Sequence, residues 1–198
     1  MFHPSRAPLA FALLAVVLSA APVERAVAAD GEEAVRLDSE RSRVDFKVKV
    51  LWLVGVEGRF GKVHGTVQVD RFRSQISVDA RIDVDAIRMN SKNYENWVKS
   101  PEFFDAERHP QIEFTSEPIP QERLRKGGEL PGALTVRGIR KKVSFQMRPS
   151  SCEKPAFDCP IEVEGAIRRS DFEMRSRRGT LSDKVELAFS VYAQPARR

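Results

Sequence analysis

Residues 43–53 read RVDFKVKVLWL, in which Val44, Phe46, Val48, Val50 and Trp52 alternate with Arg43, Asp45, Lys47 and Lys49. An apolar set and a charged set repeating with period two mark a strand buried on one face only. The pattern returns along the chain. It recurs in Thr66–Asp70 and in Ile76–Val84, where Ile76, Val78, Ala80, Ile82 and Val84 alternate with Ser77, Asp79, Arg81 and Asp83. Further runs are QIEFTS (111–116), GALTV (132–136), KVSFQM (142–147), IEVEGAI (161–167) and KVELAFSVYA (184–193). Many short strands with one apolar face predict an antiparallel sheet. To hide those faces the sheet must stack as a sandwich or curl into a barrel. Glycines at 55, 58, 61 and 65, where a strand would have to bend, favour the barrel, while the pattern alone leaves both forms open.

One segment breaks the alternation. Ser91 is placed to cap SKNYENWVKS, in which Tyr94, Trp97 and Val98 fall at helical spacing, and Ser100-Pro101 would open a further turn. The adjacent rings of Phe103 and Phe104 in SPEFFDAERHP (100–110) fit neither period. A helical insertion near 91–106 that hands over to the strand QIEFTS accounts for them, with one ring anchoring the helix and the other facing the interior or its rim.

The N-terminus is expected to be an export signal. Met1–Pro8 carries Arg6 and no acid, Leu9–Leu18 is unbroken apolar, and Ala26-Val27-Ala28 offers a small-x-small cleavage site. About ten apolar residues fall short of the ~20 that span a bilayer. Residues 1–28 would then be removed, leaving 29–198 as one domain whose formal charge drops from +5 to +4 with the loss of Arg6, Glu24 and Arg25. An exported chain with so mild an excess points away from nucleic acid. Cys152 and Cys159, the only cysteines, flank a polar loop, and in an oxidising compartment they are expected to form a local disulfide.

The sequence carries no metal-ligand spacing, no nucleophile elbow and no phosphate loop, and it calls for no cofactor. Asp83 and Asp85 share a strand face in principle, and His64 and His109 stand alone. Basic groups gather in Arg123–Lys126, Arg137–Lys142, Arg168-Arg169 and Arg175–Arg178. Solvated turns and transient contact with an acidic bilayer surface both account for them.

From Leu37 onward the chain resembles the YceI-like family. The likeness rests on LDSERSRVDF (37–46), VEGRFGKVHGTVQVD (56–70), ARIDVDAI (80–87), SPEFFDAERHPQIEFTS (100–116), GALTVRGIRKKVSF (132–145), RRSDFEM (168–174) and LSDKVELAFSVYA (181–193). It implies an all-β, lipocalin-like antiparallel barrel of about eight strands in the Gram-negative periplasm. The barrel would bind a long apolar amphiphile of polyisoprenoid, isoprenoid quinone or fatty-acyl type without catalysis, whether as monomer or homodimer. A barrel filled by its own side chains, serving as a stress-related interaction module, is the alternative.

Departures from the family pattern are Arg41-Ser42 for His-Ser, Leu51-Trp52-Leu53 for His-Leu-Gly, Tyr94–Val98 for Arg-Asp-x-His-Leu, and Glu173 for a glycine. They bear on the ligand's head group more than on the fold. Alternation offers Phe46, Val48, Val50, Trp52, Ile76 and Val78 as inward candidates for the ligand's tail, with Phe114, Phe145, Leu187 and Phe189 on later strands. Tyr94, Trp97, Phe103 and Phe104 would line or close the mouth, where the Tyr94 hydroxyl suits a polar head. An enzyme acting on bound lipid would need Asp83, Asp85, His64 or His109 to point inward.

Overall fold

The computed structural model describes residues 32–51, 53–177 and 179–195. The expected signal and Trp52 lie outside them. Twelve strands are described: β1 (Glu32–Arg36), β2 (Arg43–Val50), β3 (Val54–Phe60), β4 (Val63–Asp70), β5 (Gln75–Asp83), β6 (Ile87–Met89), β7 (Gln111–Ser116), β8 (Ile119–Pro120), β9 (Gly128–Val136), β10 (Ile139–Met147), β11 (Ile161–Arg168) and β12 (Leu181–Val191). They form one sheet in the order β1-β4-β5-β7-β9-β10-β11-β12-β2-β3-β6, with β8 against β5. Every pairing is antiparallel.

The sheet curls until it meets its own first strand. Leu37, just after β1, bridges to Ala193, just after β12. Asp38 N–H donates to the Tyr192 carbonyl at 2.9 Å, and Gln194 N–H to that of Arg36 at 2.8 Å. Eight strands therefore run from β1 round to β12, and β2, β3 and β6 continue from β12. The eight alternating runs of the sequence are all present as strands. The count rises from about eight to twelve because β1, β6 and β8 are short and β3 is interrupted by glycine.

Several glycines, Gly58 among the four named above, fill a steric need set by neighbouring strands. Phe46 on β2 lies across Gly58 on β3, so closely that a Cβ there would stand 2.3 Å from the ring. Phe145 lies over Gly165 in the same way, at 2.5 Å, and Phe114 over Gly132, at 2.8 Å. The rings are thus laid flat on the inner wall. Of the glycines at 55, 58, 61 and 65, Gly65 alone takes a positive φ, 151°, and a Cβ there would collide with the Asp79 carbonyl.

β2 ends earlier than its alternation suggests. Leu51 has φ of 48° and starts the turn, and Leu53 is left 88% exposed. The helical insertion is α1 (Lys92–Lys99), followed by turns through Phe104 in place of a second helix. Ser91 stands at the N-cap position, but its hydroxyl makes no capping bond. The buried Glu95 fixes the helix instead, accepting from the Met89 N–H at 3.1 Å and from Lys92 Nζ at 2.6 Å. These two donors hold its carboxyl below the usual glutamate range, Lys92 most strongly.

Arg123–Lys126 forms a single turn, α2, beside the loop closed by the Cys152–Cys159 disulfide. Arg125 donates to the carbonyls of Cys152 and Glu153. The expected disulfide is therefore present, and its loop is tied to α2.

Candidate functional site

The barrel is hollow. Two apolar chambers occupy its interior, an outer one of about 380 Å³ under α1 and an inner one of about 200 Å³ beyond it, toward the Cys152–Cys159 loop. Val44, Ile82, Leu134 and Phe189 line both, so these four side chains form the wall between them. The outer chamber opens where exposed residues enter its lining, at Tyr94, Arg177 and Thr180. Several apolar side chains along its walls, among them Val48, Val50, Val185 and Leu187, are only half-buried, although they point away from the outer surface.

The inward candidates divide between the chambers. Phe46, Val48, Val50, Leu187 and Phe189 line the outer one, together with Tyr94, Trp97, Phe103 and Phe104 at the lid. Ile76, Val78, Phe114 and Phe145 line the inner one, which Phe189 also reaches. The rings of Phe114, Phe145 and Phe189 make a continuous tilted series, with centroids 5.4 and 5.1 Å apart.

The lid is held by the FFDAERHP segment. Backbone N–H groups of Phe103 and Asp105 both donate to the Ser100 carbonyl, and those of Arg108 and His109 donate to that of Asp105. Asp105 is buried, takes φ of 53°, and pairs with Arg108 at 2.6 Å. This tight fold sends the two phenylalanines in different directions. Phe103 packs edge-on against Trp97 at 4.6 Å, and Phe104 edge-on against Phe60 of β3 at 5.6 Å. Both rings line the outer chamber, and both anchor the lid. Arg137, in the β9–β10 turn, donates to the carbonyls of Pro101 and Phe103, fastening the lid to the strand ends.

The alternation pattern missed the far side of the mouth. Arg169, Met174, Arg177 and Leu181, from the segment joining β11 to β12, line the outer chamber. Arg169 is buried and gives its guanidinium to four backbone carbonyls, those of Ser182, Met174, Ser176 and Leu181. It also stands 5.9 Å from the Phe103 ring. Arg177 lies 5.7 Å above Trp97. A methionine and a phenylalanine inside the charged run RSDFEMRSR were the available signal.

None of Asp83, Asp85, His64 and His109 lines either chamber. His64 pairs with Asp83 at 3.4 Å on the outer face. Asp85 sits in a 3₁₀ turn (Val84–Ala86), so it does not share a strand face with Asp83. Among the described residues no group of three or more metal-ligating side chains comes together. The site is thus an apolar hollow with a lid, whose titratable lining is Tyr94, Arg169 and Arg177.

A family model described as the YceI-like domain matches residues 36–193. The chain belongs to the YceI-like family. The protein called YceI of Salmonella arizonae is 27% identical over 164 residues, covering 78% of this chain and 82% of that one. A UPF0312 protein of Pectobacterium atrosepticum is 26% identical over 161 residues, covering 78% and 81%. Among solved structures, BcnA of Burkholderia cenocepacia superposes with a TM-score of 0.64 at 25% identity, covering 78% of this chain and 98% of that one. A polyisoprenoid-binding domain from Saccharophagus degradans, implicated in plant cell wall breakdown, superposes with a TM-score of 0.60 at 13% identity. It covers 82% of this chain and 99% of its own, a likeness of fold. The all-β, barrel-like YceI fold is therefore established here, with lid and chambers in this chain's own residues.

Proposed function

We propose that this YceI-like protein binds the apolar chain of an amphiphile inside its barrel and carries or sequesters it in the periplasm without covalent chemistry. Polyisoprenoids, isoprenoid quinones and fatty-acyl amphiphiles are the ligand classes. The observation that carries the reading is the unfilled apolar interior with an opening beside a small lid. Family membership and the polyisoprenoid-binding neighbour of like fold support it.

At roughly 30 Å³ per water-sized group, the outer chamber takes about a dozen non-hydrogen atoms. Burying that many carbons gains on the order of 10 kcal/mol relative to water before the costs of association, at ~0.8 kcal/mol each. Relative to a bilayer the gain is near zero, because both environments are dry. Exchange with membranes is therefore close to balanced, as carriage requires.

Native mass spectrometry and organic extraction of the purified protein should recover a bound amphiphile. Repeated preparations that yield none, with no saturable uptake of isoprenoid quinones or fatty-acyl probes, would overturn the proposal.

A further inference from the structure

The basic clusters of this chain are sorted by the fold to opposite ends of the barrel. Beside the inner chamber most cations are engaged, the exposed Lys154 of the disulfide loop being outside any ion pair described. Arg71 pairs with Glu33, Arg73 with Asp70 and Lys126 with Glu122, while Arg123 and Arg125 bond backbone carbonyls. At the mouth the arrangement differs. Arg140, Lys141, Lys142, Arg168 and Arg175 are exposed, and none of them pairs with a described carboxylate. Lys141, Lys142 and Arg168 line one outer crevice with Ile167, which also lines the outer chamber, so this charge sits directly outside the cavity wall. Asp171, in the same crevice, Glu173 and Asp183 are the exposed acids nearby; Asp183 accepts from Ser170 and feels the charge of Arg168 without an ion pair between them.

The same end carries an apolar tip. In the β2–β3 turn Leu51 is 57% exposed, Leu53 88% and Val54 60%. The turn is joined to the mouth, because Leu51 N–H donates to the carbonyl of Thr180, whose side lines the opening. At the other end the exposed large apolar residues are Phe72, between arginines that are already paired, and Phe157 of the disulfide loop, whose carbonyl accepts from Arg41.

An exposed aliphatic tip, unpaired cations around it and an apolar hollow opening between them fit one kind of partner. We propose that the mouth end docks on the surface of an anionic lipid bilayer, with Leu51 and Leu53 entering the acyl boundary and the Arg140–Lys142, Arg168 and Arg175 cations meeting the headgroups. Docked in this way, the opening at Tyr94 and Thr180 faces the membrane, and an apolar chain passes between bilayer and chamber without crossing water. The inference rests on the ligand reading above, yet it can fail separately from it.

The test is co-sedimentation of the purified protein with vesicles of phosphatidylcholine alone or mixed with phosphatidylglycerol. Binding is expected only to the mixed vesicles and should weaken as salt screens the cations. K141Q/K142Q should weaken it by roughly fivefold per lysine removed. L51S/L53S, which leaves every charge in place, should weaken it at least tenfold at the same salt. Neither pair lines a chamber, so uptake of a fluorescent fatty-acyl probe in vesicle-free solution should match wild type in both variants. Absence of binding to the mixed vesicles overturns the proposal. So does equal binding to neutral vesicles, wild-type binding by both variants, or loss of vesicle-free uptake in the variants. An empty chamber combined with charge-dependent vesicle binding would overturn the ligand reading and leave the docking surface standing.

Discussion

Phe189→Ala tests whether the wall between the chambers sets the length of chain that can be held. Phe189 lines both chambers and packs against Phe145 at a centroid distance of 5.1 Å. Unlike Phe46, Phe114 and Phe145, it does not lie across a glycine, so its removal uncovers no neighbouring backbone. A buried phenylalanine cut to alanine costs about 3–5 kcal/mol. Phe189 is half-buried, with empty space on two sides, and the expected loss is about 2 kcal/mol, much of it the ring contact with Phe145. The effect on binding follows from volume. With about 380 Å³ accessible in wild type, affinity for a series of fatty-acyl amphiphiles should rise roughly fourfold per methylene and level off near about twelve carbons. Joining the inner 200 Å³ adds room for about seven more, so the variant should keep gaining to about nineteen. Titration calorimetry below the micelle concentration of each amphiphile measures both curves. Levelling at the same length in both proteins, with the variant folded, would refute the division of the interior at this wall.

Three further outcomes are expected. Glu95 is held below its ordinary range in the folded protein, so its contribution to stability is full above the unfolded pKa and is lost as pH falls through the folded one. The lid should therefore loosen in acid, read as faster hydrogen exchange at the Met89 amide, and E95Q should flatten that acid dependence. Arg169→Met leaves four carbonyls without their charged donor and should lower stability by about 3 kcal/mol in denaturant titration; an unchanged midpoint would contradict the bonding described. Replacing Cys152 and Cys159 by serine opens a loop whose ends are seven residues apart, and should cost about 2 to 2.5 kcal/mol in thermal melts without changing probe uptake by the outer chamber.

The strands of this barrel were legible wherever one side chain in two is apolar, as in β2, β5 and β12. β3 was not, because Gly58 replaces an inward side chain with space for a ring from β2, a reason that lies on another strand. The lid was legible for the opposite reason, since Phe103 and Phe104 violate both periods. Half of the mouth escaped notice. Arg169 reads as surface charge, and only the backbone carbonyls converging on it from the β11–β12 connection make its burial tolerable. Leu51 and Leu53 fall in the charged register of β2 in sequence, and the left-handed turn at Leu51 takes them out of the sheet. Side-chain patterns report faces of regular elements, whereas the opening of this cavity is built from the irregular segments between them.

The rings laid over glycines make the cavity's contour a property of residue pairs. Shaving Phe46 to gain room would expose the peptide groups around Gly58 to the hollow, and enlarging Gly58 would drive the ring inward. Single substitutions at either place therefore carry a penalty that the matching change at the other should relieve, and the same holds for Phe145 with Gly165. Anyone reshaping this interior for a different guest would have to exchange large and small across two strands together, treating each ring and its glycine as one tile.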